Sequence, residues 1–118
     1  VRDKIIAFDL DDVLCFRTSN EIGIKKYHTC YPNNEMIEIV NKYYDSGATI
    51  KIYTARGMTT FGGDVNKIYS NLYNLTLNQL KNWNVKFHEL VMGKLHYDLL
   101  IDDKVLNSLN IEKIGDFI

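Results

Sequence analysis

The sequence is poor in the residues that mark specialised architectures. It has one proline, Pro32, and seven glycines in 118 residues, so Pro-rich linkers and collagen-type repeats are excluded. Its two cysteines, Cys15 and Cys30, are too few for a disulfide framework. They lack C-x-x-C spacing and a paired His-x-x-x-His, which argues against structural zinc. Both read as reduced thiols in a cytoplasmic protein. An excess of one charge is missing too: 14 Lys and Arg against 15 Asp and Glu leave a net charge of −1. Such a chain has no electrostatic footprint for nucleic acid. No apolar run approaches the roughly 18 residues of a membrane span. The Ile5-Ile6-Ala7-Phe8 run begins almost at once, so no signal peptide and no membrane association are expected.

What remains is ordinary for a globular protein, with 46% hydrophobic and 25% charged residues. The length suits one domain over 1–118. Lys4 to Phe8 reads as a buried parallel strand that stops at Asp9-Leu10-Asp11-Asp12. Leu14 to Asn34 lacks a period and reads as a structured flap. Glu35 to Ser46 is helical by spacing, with Asn33 or Asn34 as its cap and Gly47 as its terminator. Ala48 to Thr54 is a second strand, and Ala55 to Asp64 a Gly- and Thr-rich loop. Val65 to Trp83 predicts a long helix, weakened in its middle by Asn71, Asn74 and Thr76. Val85 to Val91 and Tyr97 to Ile101 predict two further strands, the latter ending on Asp102-Asp103. A helical turn at Val105 to Leu109 and a last strand within Glu112 to Ile118 complete the chain. Strands alternating with helices predict an α/β fold with a mostly parallel central sheet and right-handed crossovers.

In such sheets ligands sit beyond the carboxyl ends of the strands. The fold would therefore gather Asp9, Asp11, Thr54, Asp102 and Asp103 on one rim. Crowded carboxylates repel unless compensated. A hard oxygen donor set without His or Cys favours Mg2+. Carboxylate, hydroxyl, lysine and Mg2+ on one rim suit phosphoryl transfer, which is mostly positioning and charge neutralisation.

The order of these parts resembles the haloacid dehalogenase superfamily. Asp9-Leu10-Asp11-Asp12-Val13 matches its first motif, though Asp12 stands where Gly is usual. Ile50 to Thr54 matches the second, Gly93-Lys94 the third, and Leu99-Leu100-Ile101-Asp102-Asp103 the fourth. The resemblance implies a Rossmann-like three-layer sandwich with little or no cap. It implies Asp9 as nucleophile through an aspartyl-phosphate and Asp11 as general acid and base. Thr54, the backbone N–H groups of Ala55 and Arg56, and Lys94 would bind the phosphoryl group. Mg2+ would be held by Asp9, Asp11, Asp102 and Asp103. The stretch Thr54 to Met58, Gly62-Gly63, Trp83, Gly93-Lys94 and Ile101 to Lys104 is similar to a small, nearly capless branch linked to capsule and surface-polysaccharide biosynthesis. That branch usually carries Pro where Leu95 stands here. A small sugar- or polyol-type phosphate is the implied substrate, and a homo-oligomer that closes the open site is a further expectation.

Plainer readings stand beside these. Asp9 and Asp11 alone could be strand-end caps, and Asp103 could cap a turn. Arg56 either contacts substrate or faces water. Arg17 and His28 either read the leaving group or are structural. Lys25-Lys26 reads as a solvated face, and the helical tyrosines as core or partner surface. The rival functions are a receiver-like phosphorylation or binding domain and a catalytically quiet scaffold of the same fold. A receiver would end its middle strand on Asp, where this chain has Thr54.

Overall fold

The computed structural model describes residues 1–18 and 22–118. Three parallel strands form the sheet: β1 (Ile5–Asp9), β4 (Thr49–Thr54) and β5 (Glu89–Met92), in the order β1-β4-β5. Between β1 and β4, β2 (Cys15–Phe16) pairs antiparallel with β3 (Tyr31–Pro32), and a 3-10 turn covers Gly23–Tyr27. This small hairpin is the flap expected at 14–34, of which residues 19–21 lie outside the described residues.

Helix α1 (Asn34–Asp45) starts where Asn33 accepts a hydrogen bond from the Met36 N–H. The Asn33 amide also donates to the Val13 carbonyl at 2.9 Å, tying the helix entry to the loop after β1. Helix α2 (Val65–Asn82) is capped by Asp64, which accepts from the Lys67 N–H at 3.2 Å. The weakness expected in its middle does not break it. The Asn71 amide donates to the Lys67 carbonyl of its own preceding turn at 2.8 Å, and Thr76 is buried with a tertiary partner. Among the described residues, no helix is long and apolar enough to cross a membrane.

The sheet buries one face. Ile6, Phe8, Ile50, Ile52, Thr54, Leu90 and Met92 share that face by register, and all but Ile6 are fully buried. They pack with Met36, Ile37 and Val40 of α1 and Ile68, Leu72 and Leu80 of α2 in one hydrophobic cluster. The order β1-β4-β5 moves one way across the sheet, so right-handed crossovers put both helices on the same side. The opposite face carries Ile5, Ala7, Lys51, Tyr53, Glu89 and Val91, partly or largely exposed. The architecture is therefore α/β with a parallel sheet, but in two layers rather than the three expected.

The C-terminal quarter also departs from the pattern. Tyr97 to Ile101 is irregular rather than a strand, half-buried at Tyr97 and exposed from Asp98 on, and the expected strand within Glu112 to Ile118 lies in a 3-10 segment, Ser108–Asp116. Among the described residues the sheet has no neighbour on the outer edge of β1, and a short apolar segment forms a strand only where a partner edge receives it. The third strand is shorter than expected because His88 leaves the ladder pattern. Its backbone N–H donates to the Ile50 carbonyl, while its Nδ1 accepts from the Ile50 N–H at 3.0 Å.

Gly57, just past β4, has φ +79, and a Cβ there would lie 2.7 Å from Leu72 Cδ1. Gly57→Ala is expected to lower unfolding free energy in urea by about 1–3 kcal/mol. A change below the measurement error would show that α2 can shift away from this loop freely.

Candidate active site

Because the strands are parallel, Asp9, Thr54 and Lys94 share one end of the sheet. The turn after β1 closes tightly there: the Leu10 carbonyl accepts from the N–H groups of Val13, Leu14 and Cys15. Asp12 sits at φ +68, a left-handed conformation in which glycine carries no steric penalty. The Asp where the resembled family has Gly therefore keeps the glycine-like backbone. Leu10 and Leu14 are buried beneath this turn, while Asp9, Asp11 and Asp12 line an open polar pocket of about 320 Å³.

One oxygen of Asp9 accepts from the Leu10 N–H at 2.8 Å. The other pairs with Lys94 Nζ at 3.3 Å. Lys94 is itself held in place, since its backbone N–H donates to the Thr54 carbonyl at 3.0 Å. Burial alone would lower the Lys94 pKa. The Tyr97 hydroxyl and the Asp9 carboxylate outweigh it and raise the value above its ordinary range. The lysine therefore stays a cation throughout the neutral and mildly alkaline range. Thr54 is buried, and its hydroxyl accepts from the Arg56 N–H at 3.1 Å. Ala55 also lines the pocket.

Arg56 neither faces water nor projects freely toward a substrate. Its residue is 1% exposed, and its guanidinium grips Asp11 from two nitrogens, Nε to Oδ2 and Nη2 to Oδ1, both at 3.0 Å. Nη1 donates to Gln79 at 2.6 Å and to Thr76 at 3.2 Å. The Tyr27 ring lies 4.8 Å from the guanidinium carbon. The Tyr27 hydroxyl accepts from the Gly57 N–H, and the Gln79 amide donates to the Tyr27 carbonyl. This hub joins the turn after β1, the loop after β4, the flap and α2. Both Asp11 oxygens are thus engaged by protein, so a general acid–base role requires this pair to open.

Cys15, Cys30 and Asp11 bring their ligand atoms within 4.8 Å of one another. Burial, the largest influence, raises both thiol pKa values, that of Cys15 well above the ordinary range. The Arg56 Nη2 lies 3.7 Å from each sulfur. Protonated thiols around a guanidinium do not suit a cation, and a thiol needs to lose its proton to ligate one.

The expected Mg2+ set is not gathered by one chain. Asp9 and Asp11 line the pocket, whereas Asp102 and Asp103 do not. Asp102 is exposed in a turn, where its Oδ1 accepts from the Lys104 N–H at 3.3 Å. Its carboxyl is held below the ordinary value, first by a hydrogen bond with Asp103 and then by the Lys104 and Asp103 backbone N–H groups. Of the four expected ligands the pocket brings together Asp9 and Asp11. Mg2+ is commonly held by one or two carboxylates with waters and a substrate phosphate, and the Arg56 grip on Asp11 leaves Asp9 the freer of the two.

Arg17, weighed with His28 as a reader of the leaving group, lines the pocket, whereas His28 is not among the lining residues. Several contributors were not singled out as functional from the sequence: Lys26, read as solvated, lines the pocket with Thr59 and His96. Arg17 reaches Asp12 at 3.7 Å. Tyr27, Thr76 and Gln79 gave no local signal, because their roles depend on a guanidinium brought from a distant segment.

No family model and no curated protein matches the chain. Its fold is similar to a crystal structure of a Vibrio cholerae protein, with a TM-score of 0.82 and 28% sequence identity. That likeness covers 97% of this chain and 95% of the other. The arrangement of sheet, helices and C-terminal segment therefore recurs in a solved structure over nearly its whole length.

Arg56→Met would leave Asp11 without its counter-ion in a partly buried site. It is expected to cost about 3 kcal/mol or more of unfolding free energy. Arg56→Lys should not restore it, because an ammonium cannot reproduce the two-nitrogen grip on Asp11 together with the Gln79 contact. Urea unfolding of both variants checks this; a loss under about 1 kcal/mol in Arg56→Met would refute the hub.

Proposed function

We propose that the chain is a Mg2+-dependent phosphomonoester hydrolase of the haloacid dehalogenase type. The observation that carries this reading is the Asp9 carboxylate. It is oriented by the Leu10 N–H and Lys94 beside Thr54, at the mouth of a polar pocket. A carboxylate so placed has a fixed direction of attack. The adjacent cation offsets repulsion between Asp9 and an incoming phosphate. In the first step an Asp9 oxygen bonds to phosphorus and the ester P–O bond breaks, the leaving oxygen taking a proton. In the second, water attacks phosphorus, phosphate departs and the Asp9 carboxylate is regenerated. Thr54, Lys94 and the backbone of Ala55 orient the phosphoryl oxygens, and the Arg56 N–H holds the Thr54 hydroxyl in place for this. Asp11 would supply the proton only after releasing one oxygen from Arg56. A bound Mg2+, held by Asp9 and Asp11 with waters and the substrate phosphate and joined by Asp102 and Asp103 where they reach the site, would add charge neutralisation.

The substrate class follows from an open pocket with Lys26, Arg17 and His96 around it. A small sugar- or polyol-type phosphate offers hydroxyls and one dianionic head to such a surface. The resemblance to the capsule and surface-polysaccharide branch supports that class, and the unpaired thiols suit the cytoplasm. The receiver-like alternative loses support because the middle strand ends on Thr54 and the acceptor carboxylate on an edge strand.

Phosphate release from a panel of metabolite esters, with Mg2+ and with EDTA, tests the reading. Release is expected only with Mg2+. Asp9→Asn should lower kcat by a factor of about 10³ or more. Lys94→Ala should cost a factor of about 10²–10³. Release that survives EDTA would remove the metal from the account, and sustained turnover by Asp9→Asn would remove the covalent step. A wild type inactive on every ester would favour the quiet scaffold.

A further inference from the structure

The sheet and the C-terminal segment each present an unsatisfied half of the same interaction. β1 is an edge strand, yet its Ile-Ile-Ala-Phe run has the composition of a strand with neighbours on both sides. Ile5 is 67% exposed, and an unpaired edge is a template for a further strand. Leu99, Leu100 and Ile101 form a strand-like apolar run that ends on Asp102, and they are 75%, 42% and 88% exposed. One molecule thus displays both a bare parallel edge and a bare strand.

The chain connectivity disfavours joining them within one molecule. β5 and Lys94 end at the same sheet end as Asp9. A strand that delivers Asp102 to that end must run parallel to β1 and begin at the opposite end. Only residues 93–98 separate Met92 from Leu99, whereas a parallel crossover usually takes about a dozen residues or more. An antiparallel pairing would carry Asp102 away from Asp9.

We propose that the 97–103 segment of one copy adds as a parallel strand to β1 of a second copy, placing Asp102 and Asp103 in the partner's site. The exchange is reciprocal, so a two-fold dimer satisfies both edges and closes without leaving a free end. It covers the apolar run and completes the carboxylate set that one chain leaves incomplete. The eight residues from Leu95 to Asp102 span at most about 29 Å when extended, so the two pockets of the dimer lie within that distance. The inference rests on the proposed hydrolase site for the role of the two carboxylates, but the strand addition itself does not.

Two experiments separate these parts. In the first, the Ala7→Cys/Leu100→Cys double variant is oxidised and run on a non-reducing gel, with each single variant as control. A covalent dimer specific to the double variant is expected. An internally bridged monomer, identified by mass, would show pairing within one chain and overturn the exchange, as would absence of any cross-link in folded protein. In the second, Asp9→Asn is co-expressed with Asp102→Asn/Asp103→Asn. Each alone should be inactive, and random pairing should restore about a quarter of wild-type activity, because one site of each mixed dimer is intact. No restoration, alongside an active wild type, would overturn the contribution across the interface. A covalent dimer of the double variant, alongside a wild type inactive on all esters, would instead sink the hydrolase reading and, with it, the role given to Asp102 and Asp103.

Discussion

A guanidinium sealed from water must find its compensation inside the protein, and Arg56 finds it in Asp11. An isolated buried charge would be prohibitive, so the fold is constrained to deliver a carboxylate, two further acceptors and an aromatic face to one point. Asp11 comes from the turn after β1, Thr76 and Gln79 from α2, and Tyr27 from the flap. Four segments distant in sequence are thereby locked in one arrangement. Asp9 and Thr54, each two positions from a member of the pair, inherit their places at the pocket from it. In the proposed reaction, the precision that an attacking carboxylate needs would come from this hub, since positions on a rigid scaffold hold better than those on loops alone.

The parts of the fold that were legible in the sequence are those with local causes. Asn33 and Asp64 cap helices through their own side chains, and β1 and β4 are apolar runs punctuated by charge or turn residues. Asp9 and Thr54 were legible as a rim because parallel strands share a carboxyl end, and Lys94 through the resemblance of its Gly93-Lys94 motif. The two-layer architecture was not legible. It depends on the direction in which successive crossovers step, and no residue pattern encodes that alone. Arg56 was equally hidden: its position just past Thr54 says rim, while its burial is decided by α2 residues more than a full loop away. The 97–101 segment has strand composition, but a strand also needs an edge, and in the described chain none receives it.

In the proposed site, stabilising and reactive roles fall on carboxylates two positions apart. Asp11 is held on both oxygens by a buried cation, whereas Asp9 is held by one backbone N–H and one partly exposed lysine. The first arrangement restrains, and the second orients a group that remains accessible. The neighbouring thiols, kept protonated by burial, add bulk around the guanidinium without competing for a hard cation. Asp102 and Asp103 do not line the pocket of the single chain, so under the proposed strand exchange completeness of the site is a matter of assembly as well as folding.

The central claim is that the Asp9 carboxylate accepts the phosphoryl group. Its most direct test is an acid quench of the protein during turnover of a radiolabelled phosphate ester, followed by proteolysis and mass spectrometry. The account expects label on the peptide carrying Asp9, released by hydroxylamine as an acyl phosphate is. Label on another side chain, or turnover with no covalent adduct at any time point, would contradict it.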